Sequence, residues 1–592
     1  MTVLQSLDGY YGRMAARGEA EPPGFSREKI SFRVTLSAVG EPVSVVDLRT
    51  GAGRKLSPQL LQVPAGVKRT VAIVPNLLWD KTAYAFGRTA GTGSRTAQEH
   101  EAFKAANLAF AAGSNDEGLT AWRLFLESWN PDLFDAAPFR ADMLDANIVF
   151  ALQGETCDLH DRDAVQHLLA ARLGSAATGQ GCLVTGLTAA PARLHPTIKG
   201  VFGAQTSGAA LVSFNLDAFT SYDKVQGDNA PTSEAAAFRY GAALNRMLDR
   251  GSRNRLPRPV GDASLVFWAD TSHGTSEQQA QDAEDFFASM MEPPDDATEA
   301  ARVRTQLEAL AAGRPVEDPR LGLAAGTRFH VLGLSPNAAR LSIRYWLDDT
   351  FGAFAQRLAA HYQALRIEPP PWRDKLPSIA RLLVRTTAVQ EKFENIPPLL
   401  AGEVMRAVLT GSAYPRAWLA AAVIRLRAGD DPASGWHAAV IKACLFNAKS
   451  EENTSVSLDP NNNSPAYQLG RLFAVLEAAQ YAALGRVNAS IADRYYGAAS
   501  ATPARVFGPL LRSMQVHIST ARKLGKGGWI EPRLEEIVGS LDSRLPISLK
   551  LEDQGRFAIG YYHERAHSRS KATEAKEARD AKKDKQDTEG TN

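Results

Sequence analysis

The residues in this chain whose types suit chemistry are few, and their spacing does not assemble a site. His160-Asp161, with Cys157 three positions earlier, resembles the His-Asp pair that some nucleases use to hold a metal. A single short pair does not supply the several ligands a catalytic metal needs. Asp270, Asp282, Glu284 and Asp285 lie close together in sequence, but Gln279, Phe286 and Phe287 place them on an amphipathic helix, as a solvated face. The patterns G-x-x-x-x-G-K-[ST], G-x-S-x-G and H-E-x-x-H are absent. Ala90-Gly91-Thr92-Gly93-Ser94 has the glycines of a nucleotide loop without the strand-loop-helix frame and ribose-binding acid that such a loop requires, and reads as a flexible connection. Cys157, Cys182 and Cys444 are too few and too far apart for a disulfide framework or a zinc site, and read as small buried side chains. The expectation is a chain with no catalytic residue, no metal and no cofactor.

Binding chemistry is better represented. Between His195 and Asp262, Gly200, Gly203 and Gly208 surround Gln205, Thr206 and Ser207, so the backbone there can turn sharply and approach a groove or a phosphate without Cβ obstruction. A helix follows in which Tyr240, Leu244, Met247 and Leu248 form an apolar face while Arg239, Arg246 and Arg250 share another. Arg253, Arg255 and Arg258 continue the basic run, with Asp249 as the only acid among the six arginines. Guanidinium groups suit phosphates and guanine edges. Lys199 precedes the glycine loop as a further phosphate partner, and Lys81 and Arg88 beside Trp79 offer additional backbone contacts.

The elements that must position these groups fall into an α+β arrangement. An opening helix carries Leu4, Leu7, Tyr11 and Met14 at helical spacing, which is not the layout of a signal peptide. Ile30–Leu36 and Pro42–Leu48 alternate as a hairpin. A short strand opens at Thr70, helices span 97–112 and 117–129, and further strands are expected at 147–152, 182–187, 208–214 and 263–268. The Met291–Asp296 segment breaks two polar helices and marks a subdomain edge. Arg328–Leu334 and Leu341–Trp346 form a strand pair leading into a helix through Leu365. Residues 1–370 thus form a large mixed part containing β-sheet, 371–564 a helical bundle, and 565–592 a charged tail without the apolar residues to order itself, expected disordered or as an extended charged helix when bound.

Length supports several domains, and 67 Lys and Arg against 65 acidic residues make any basic surface local. No apolar run is long enough to span a membrane, and a cytoplasmic protein is expected.

Several blocks occur in an order that resembles the large subunit of the type I-C CRISPR Cascade complex. They are the opening helix with Pro22-Pro23-Gly24-Phe25, Asn76-Leu77-Leu78-Trp79-Asp80, the His195–Asp262 segment, Gly470-Arg471-Leu472-Phe473-Ala474-Val475-Leu476-Glu477, and Asp493-Arg494-Tyr495-Tyr496-Gly497-Ala498-Ala499-Ser500. The resemblance covers nearly the whole chain except the tail. It implies a non-catalytic subunit working with guide RNA-containing Cascade subunits, inspecting double-stranded target DNA for a protospacer-adjacent motif, supporting R-loop formation and presenting the target to a separate helicase-nuclease. In such systems the protein reads a short flanking motif and guide pairing reads the rest. The glycine loop, through Gln205 and Ser207, becomes the candidate reader, with Lys199, Arg253 and Arg255 on phosphates. The bundle resembles a small-subunit domain that the family also makes separately, and Arg512, Arg522, Lys523 and Lys526 become candidates for binding the displaced single strand. The rival readings are a metal-dependent nuclease at His160 and Asp161, and a purely architectural subunit.

Overall fold

The computed structural model describes residues 1–51, 56–67, 69, 72–174, 179–271, 274–314, 324–372, 375–388, 392–446 and 455–589. Its side chains are described as far as Ser570, with 170 and 172–174 also set aside. The chain forms two compact units, Met1–Ile198 with Ala210–Arg246, and Lys199–Ala209 with Met247–Asn592.

The first unit is built on a mixed four-stranded sheet. Phe32–Leu36 pairs antiparallel with Pro42–Asp47, as the alternation predicts, and parallel with Asn147–Leu152, which pairs antiparallel with Trp79–Lys81. Phe25–Ile30 and Gln59–Pro64 make a separate antiparallel pair. Helices Thr96–Ala111 and Glu117–Ser128 are close to the expected spans. Phe86 sits at the centre of the core, its ring 5.2 Å from Trp129 and 5.7 Å from Phe150, at tilted and edge-on angles that suit aromatic quadrupoles.

Asn76–Asp80 serves this packing. The Asp80 carboxylate accepts both Arg69 guanidinium donors and the backbone N–H of Asn76 at 2.9 Å. Asn107 Oδ1 accepts from Leu78 N at 2.8 Å, holding Leu78 at φ 63°. A bulky residue persists in that conformation only where its surroundings over-determine it.

In the second unit, Ser264–Ala269, Arg328–Asn337 and Arg340–Thr350 pair antiparallel in that order, and the helix Phe351–Leu365 follows the last of them. Helices then run to the end of the described chain. One continuous apolar core joins Leu256 to Tyr562, so the boundary expected near residue 370 falls inside this unit. The helix Pro465–Leu484 packs against the long helix Leu551–Glu589 with backbones almost touching. A Cβ on Gly470 would lie 2.0 Å from Phe557 O, and one on Gly560 would lie 2.2 Å from Tyr467 O. The charged tail, expected either disordered or as an extended charged helix when bound, continues as helix to Glu589, while 590–592 and the side chains from 571 lie outside the described residues.

Two strand expectations and the burial of the cysteines need correction. Residues 182–187 form a turn, in which Gly186 N donates to Cys182 O at 2.8 Å, and only Ala209–Ala210 of the 208–214 segment is strand. Thr70 and Val71, where another strand was expected to open, lie outside the described residues. Of the three cysteines, Cys182 is buried, Cys444 is half-buried and Cys157 is exposed. Among the described residues no helix is long and apolar enough to cross a membrane.

Candidate nucleic-acid interface

The glycine loop is tightly turned and hydrogen-bonded to the strand beside it. Gly200, Gly203 and Gly208 have φ of 84°, 73° and 90°, the left-handed region that side chains other than glycine resist. A Cβ on Gly200 would also meet Leu248 O at 2.7 Å. Phe202 N donates to Ser264 Oγ at 2.9 Å, anchoring the loop to the first residue of the strand Ser264–Ala269. Two turns follow, Ala204 N to Val201 O at 3.1 Å and Gly208 N to Gln205 O at 2.9 Å. Gln205, Thr206 and Ser207 are exposed as a result. Phe202, which the sequence pattern does not mark as exposed, is 50% exposed in the same loop. A large apolar residue between two turn-forming glycines was the signal available.

The arginines beyond the helix Glu234–Leu248 divide by role. Leu248 ends the helix, and its carbonyl, left without an intrahelical partner, accepts from Arg255 Nη1. Burial, with Arg250 nearby, holds the Arg255 pKa below its ordinary value. Arg255 is therefore positioned to close the turn after the helix. Arg253 forms a two-pronged pair with Asp285, at 3.2 and 2.5 Å, both groups remaining half-exposed. Arg258 lies over the Phe393 ring, 5.4 Å from its centroid, and Arg250 is exposed. Loop and arginine turn thus meet at one point, Leu248, which both Gly200 and Arg255 contact. Lys199, half-buried at the start of the loop, belongs to the same unit.

The remaining candidates lie elsewhere in the fold. In the first unit, Arg239 pairs with Asp8 at 2.6 Å, and Arg246 is the last residue assigned to that unit. Arg88 donates to Pro131 O at 2.9 Å and to Asp135 at 2.5 Å, clasping the 131–135 turn. Lys81 is exposed, whereas Trp79 beside it is buried and donates its indole N–H to Pro64 O at 2.7 Å. In the second unit, Arg512, Arg522, Lys523 and Lys526 are exposed along and just beyond the helix Pro503–Lys523. No acidic residue occurs from Pro503 to Ile530, although Arg522 reaches Glu531 at 3.3 Å.

The groups considered for catalysis have structural employment. Asp158, His160 and Asp161 bring potential ligand atoms within 4.8 Å of one another. Both Asp158 oxygens, however, accept from Arg33, at 2.5 and 2.9 Å, and Asp161 accepts the Asp158 N–H at 3.2 Å as part of a helix cap. A divalent ion would have to displace that guanidinium. Burial lowers the His160 pKa, which favours its neutral form. Glu284, expected on a solvated face, is 1% exposed and accepts from Ala269 N at 3.0 Å. It supplies a hydrogen bond at the end of the strand, which the amphipathic pattern alone does not show.

With this geometry established, the chain compares as follows. It matches the CRISPR-associated protein family Cas_Csd1 over residues 7–569, and so belongs to that family. No curated protein matches it.

Proposed function

We propose that this chain is the large subunit of a type I-C Cascade complex, a non-catalytic protein that reads the protospacer-adjacent motif of duplex DNA with the loop 199–208. The observation that carries the reading is that loop. Three left-handed glycines and the Ser264 anchor hold Gln205, Thr206 and Ser207 out to solvent, beside the arginine turn at Leu248. Base edges are read by pre-positioned donors and acceptors, while cations on phosphates set the register. Gln205 and Ser207 fill the first role. Lys199, Arg250 and Arg253 fill the second, with Arg255 holding the turn. Membership of a CRISPR-associated family supports the assignment, because sequence recognition beyond the motif then falls to guide RNA carried by other subunits. The exposed cations between Arg512 and Lys526 bind the displaced strand during R-loop formation, and a separate helicase-nuclease cuts.

The test is binding of the reconstituted complex to guide-matched duplexes that differ only in the flanking motif. Gln205→Ala with Ser207→Ala is expected to reduce motif discrimination by about tenfold or more, since each lost base contact is worth about 1–3 kcal/mol, while complex assembly is unchanged. With magnesium present the DNA stays intact until the helicase-nuclease is added. Unaltered discrimination by the double variant would overturn the loop assignment. Absence of motif dependence in the wild type would overturn the functional reading.

A further inference from the structure

The most exposed large apolar side chain of the described residues lies outside the proposed reading loop. Tyr222 is 93% exposed, in the segment that follows the short helical turn Asp217–Phe219. Its backbone has φ 53°, and Asp223 and Gln226 follow at 58° and 50°. Three residues other than glycine held left-handed within five positions is a costly arrangement for a surface loop, least tolerated at the bulky aromatic. A loop free to relax would not keep it.

The restraint comes from one side chain. Asn229 accepts from Ser221 N at 3.0 Å through Oδ1 and donates from Nδ2 to Lys224 O at 3.1 Å and Gln226 O at 3.0 Å. The base of the loop is fixed by Gly227, whose N–H donates to Arg193 O at 3.1 Å and where a Cβ would stand 1.9 Å from Ala192 O. Leu183 N donates to Pro231 O at 2.9 Å, tying the loop's far end to a second segment. Leu216 and Val225, in the same stretch of chain as Tyr222, and Leu183, Leu187 and Leu194 on the joined segment, are all exposed. A concentration of exposed apolar side chains on a braced framework marks an interaction surface.

Charge selects the partner. From Leu216 to Asn229 the loop carries Asp217, Asp223 and Asp228 against the single cation Lys224, and the joined segment 183–194 adds only Arg193, so the surface around Tyr222 stays net acidic. Phosphates would be repelled, whereas an apolar protein pocket ringed by lysine or arginine would be complemented. Tyrosine is a preferred anchor of such interfaces, and a pre-ordered loop avoids the entropy of ordering on contact. We infer that the Tyr222 loop is a docking element that inserts its ring into an apolar, basic-rimmed pocket of another protein subunit. The inference rests on the proposed role in a multi-subunit complex, but uses residues that role does not assign.

The test is photo-crosslinking from benzoylphenylalanine incorporated at position 222 of the full chain, within the reconstituted complex on motif-bearing DNA. It is paired with subunit association measured for Tyr222→Asn and Asn229→Ala. Asparagine tolerates the left-handed backbone, so Tyr222→Asn removes the ring without adding strain and should leave the thermal midpoint unchanged or raised. The expected result is a crosslink to a protein subunit and association weakened about tenfold or more by Tyr222→Asn, with a smaller loss for Asn229→Ala. A crosslink to nucleic acid, or association unchanged by Tyr222→Asn, overturns the inference. If the complex binds motif-bearing DNA normally while position 222 stays silent, this inference fails alone. If wild-type chain enters no guide RNA complex, the functional reading fails and takes this inference with it.

Discussion

Arg250 and Arg255 stand five positions apart in one basic run, yet one is exposed and the other spends its donor on the Leu248 carbonyl. Removing each should therefore break a different property. Arg255→Ala leaves the last carbonyl of a helix unpaired in a half-buried setting and is expected to cost about 1–3 kcal/mol of stability, read as a lower denaturation midpoint. Arg250→Ala is expected to leave that midpoint in place and to weaken DNA binding for all sequences alike, with motif preference retained, because a phosphate contact carries no base information. The sequence shows six arginines and one acid, and the count is correct. Which guanidinium turns inward depends on where the helix stops and which carbonyl it strands, and that follows only from the fold. Glu284 teaches the same lesson, since an acid beside Asp282 and Asp285 looks solvated until the strand end it satisfies is known.

At the level of elements, alternation makes the strand Phe32–Leu36 legible, since one face of it is buried, whereas Arg328–Asn337, buried from Phe329 to Ser335, is legible as a short apolar run closed by the turn signal Ser335-Pro336-Asn337. The turn at 182–187 has the pattern of a strand because Cys182, Val184 and Leu187 are apolar, though Leu187 faces solvent and Gly186 bends the chain. Least visible was the polar joint between the helices Pro465–Leu484 and Leu551–Glu589. Arg471 and Glu564, each 1% exposed, pair at 2.9 Å, and Arg533 reaches Glu564 at 2.7 Å. Replacing both Arg471 and Arg533 with Met, which strands the buried Glu564 carboxylate, is expected to cost about 3–5 kcal/mol, and adding Glu564→Leu to recover part of the loss. Thermal unfolding of the two variants checks this. On the same joint, burial, assisted by the Lys442 cation, lowers the His563 pKa from 6.5 to about 4. The unfolded chain binds that proton first, so the stability due to neutral His563 is fully present above pH 6.5 and is lost as pH falls towards 4. His563→Gln should flatten the acid limb of the stability curve over that window.

For the molecule as a whole, near-neutral charge settles what kind of nucleic-acid binding to expect. With 67 basic and 65 acidic residues there is no global attraction to DNA, so any salt-sensitive binding must arise from local surfaces. The acid-free stretch Pro503–Ile530 is one such surface, and its cations face solvent. Contact with a displaced strand through Arg512, Arg522, Lys523 and Lys526 would release counterions at about 0.7 per neutralised phosphate, so replacing all four with Gln should flatten the salt dependence by up to about three logarithmic units per decade of salt. Arg522 should contribute least, because Glu531 already lies 3.3 Å away and competes for it. The measurement is the affinity of the complex for a preformed bubble duplex across a salt series, with the Gln205→Ala, Ser207→Ala variant alongside. That variant should lose motif discrimination at unchanged slope, and the fourfold variant should lose slope at unchanged discrimination. If both variants changed both quantities together, the loop and the basic helix could not be acting on separate features of the DNA, and the division of labour proposed for them would have to be abandoned.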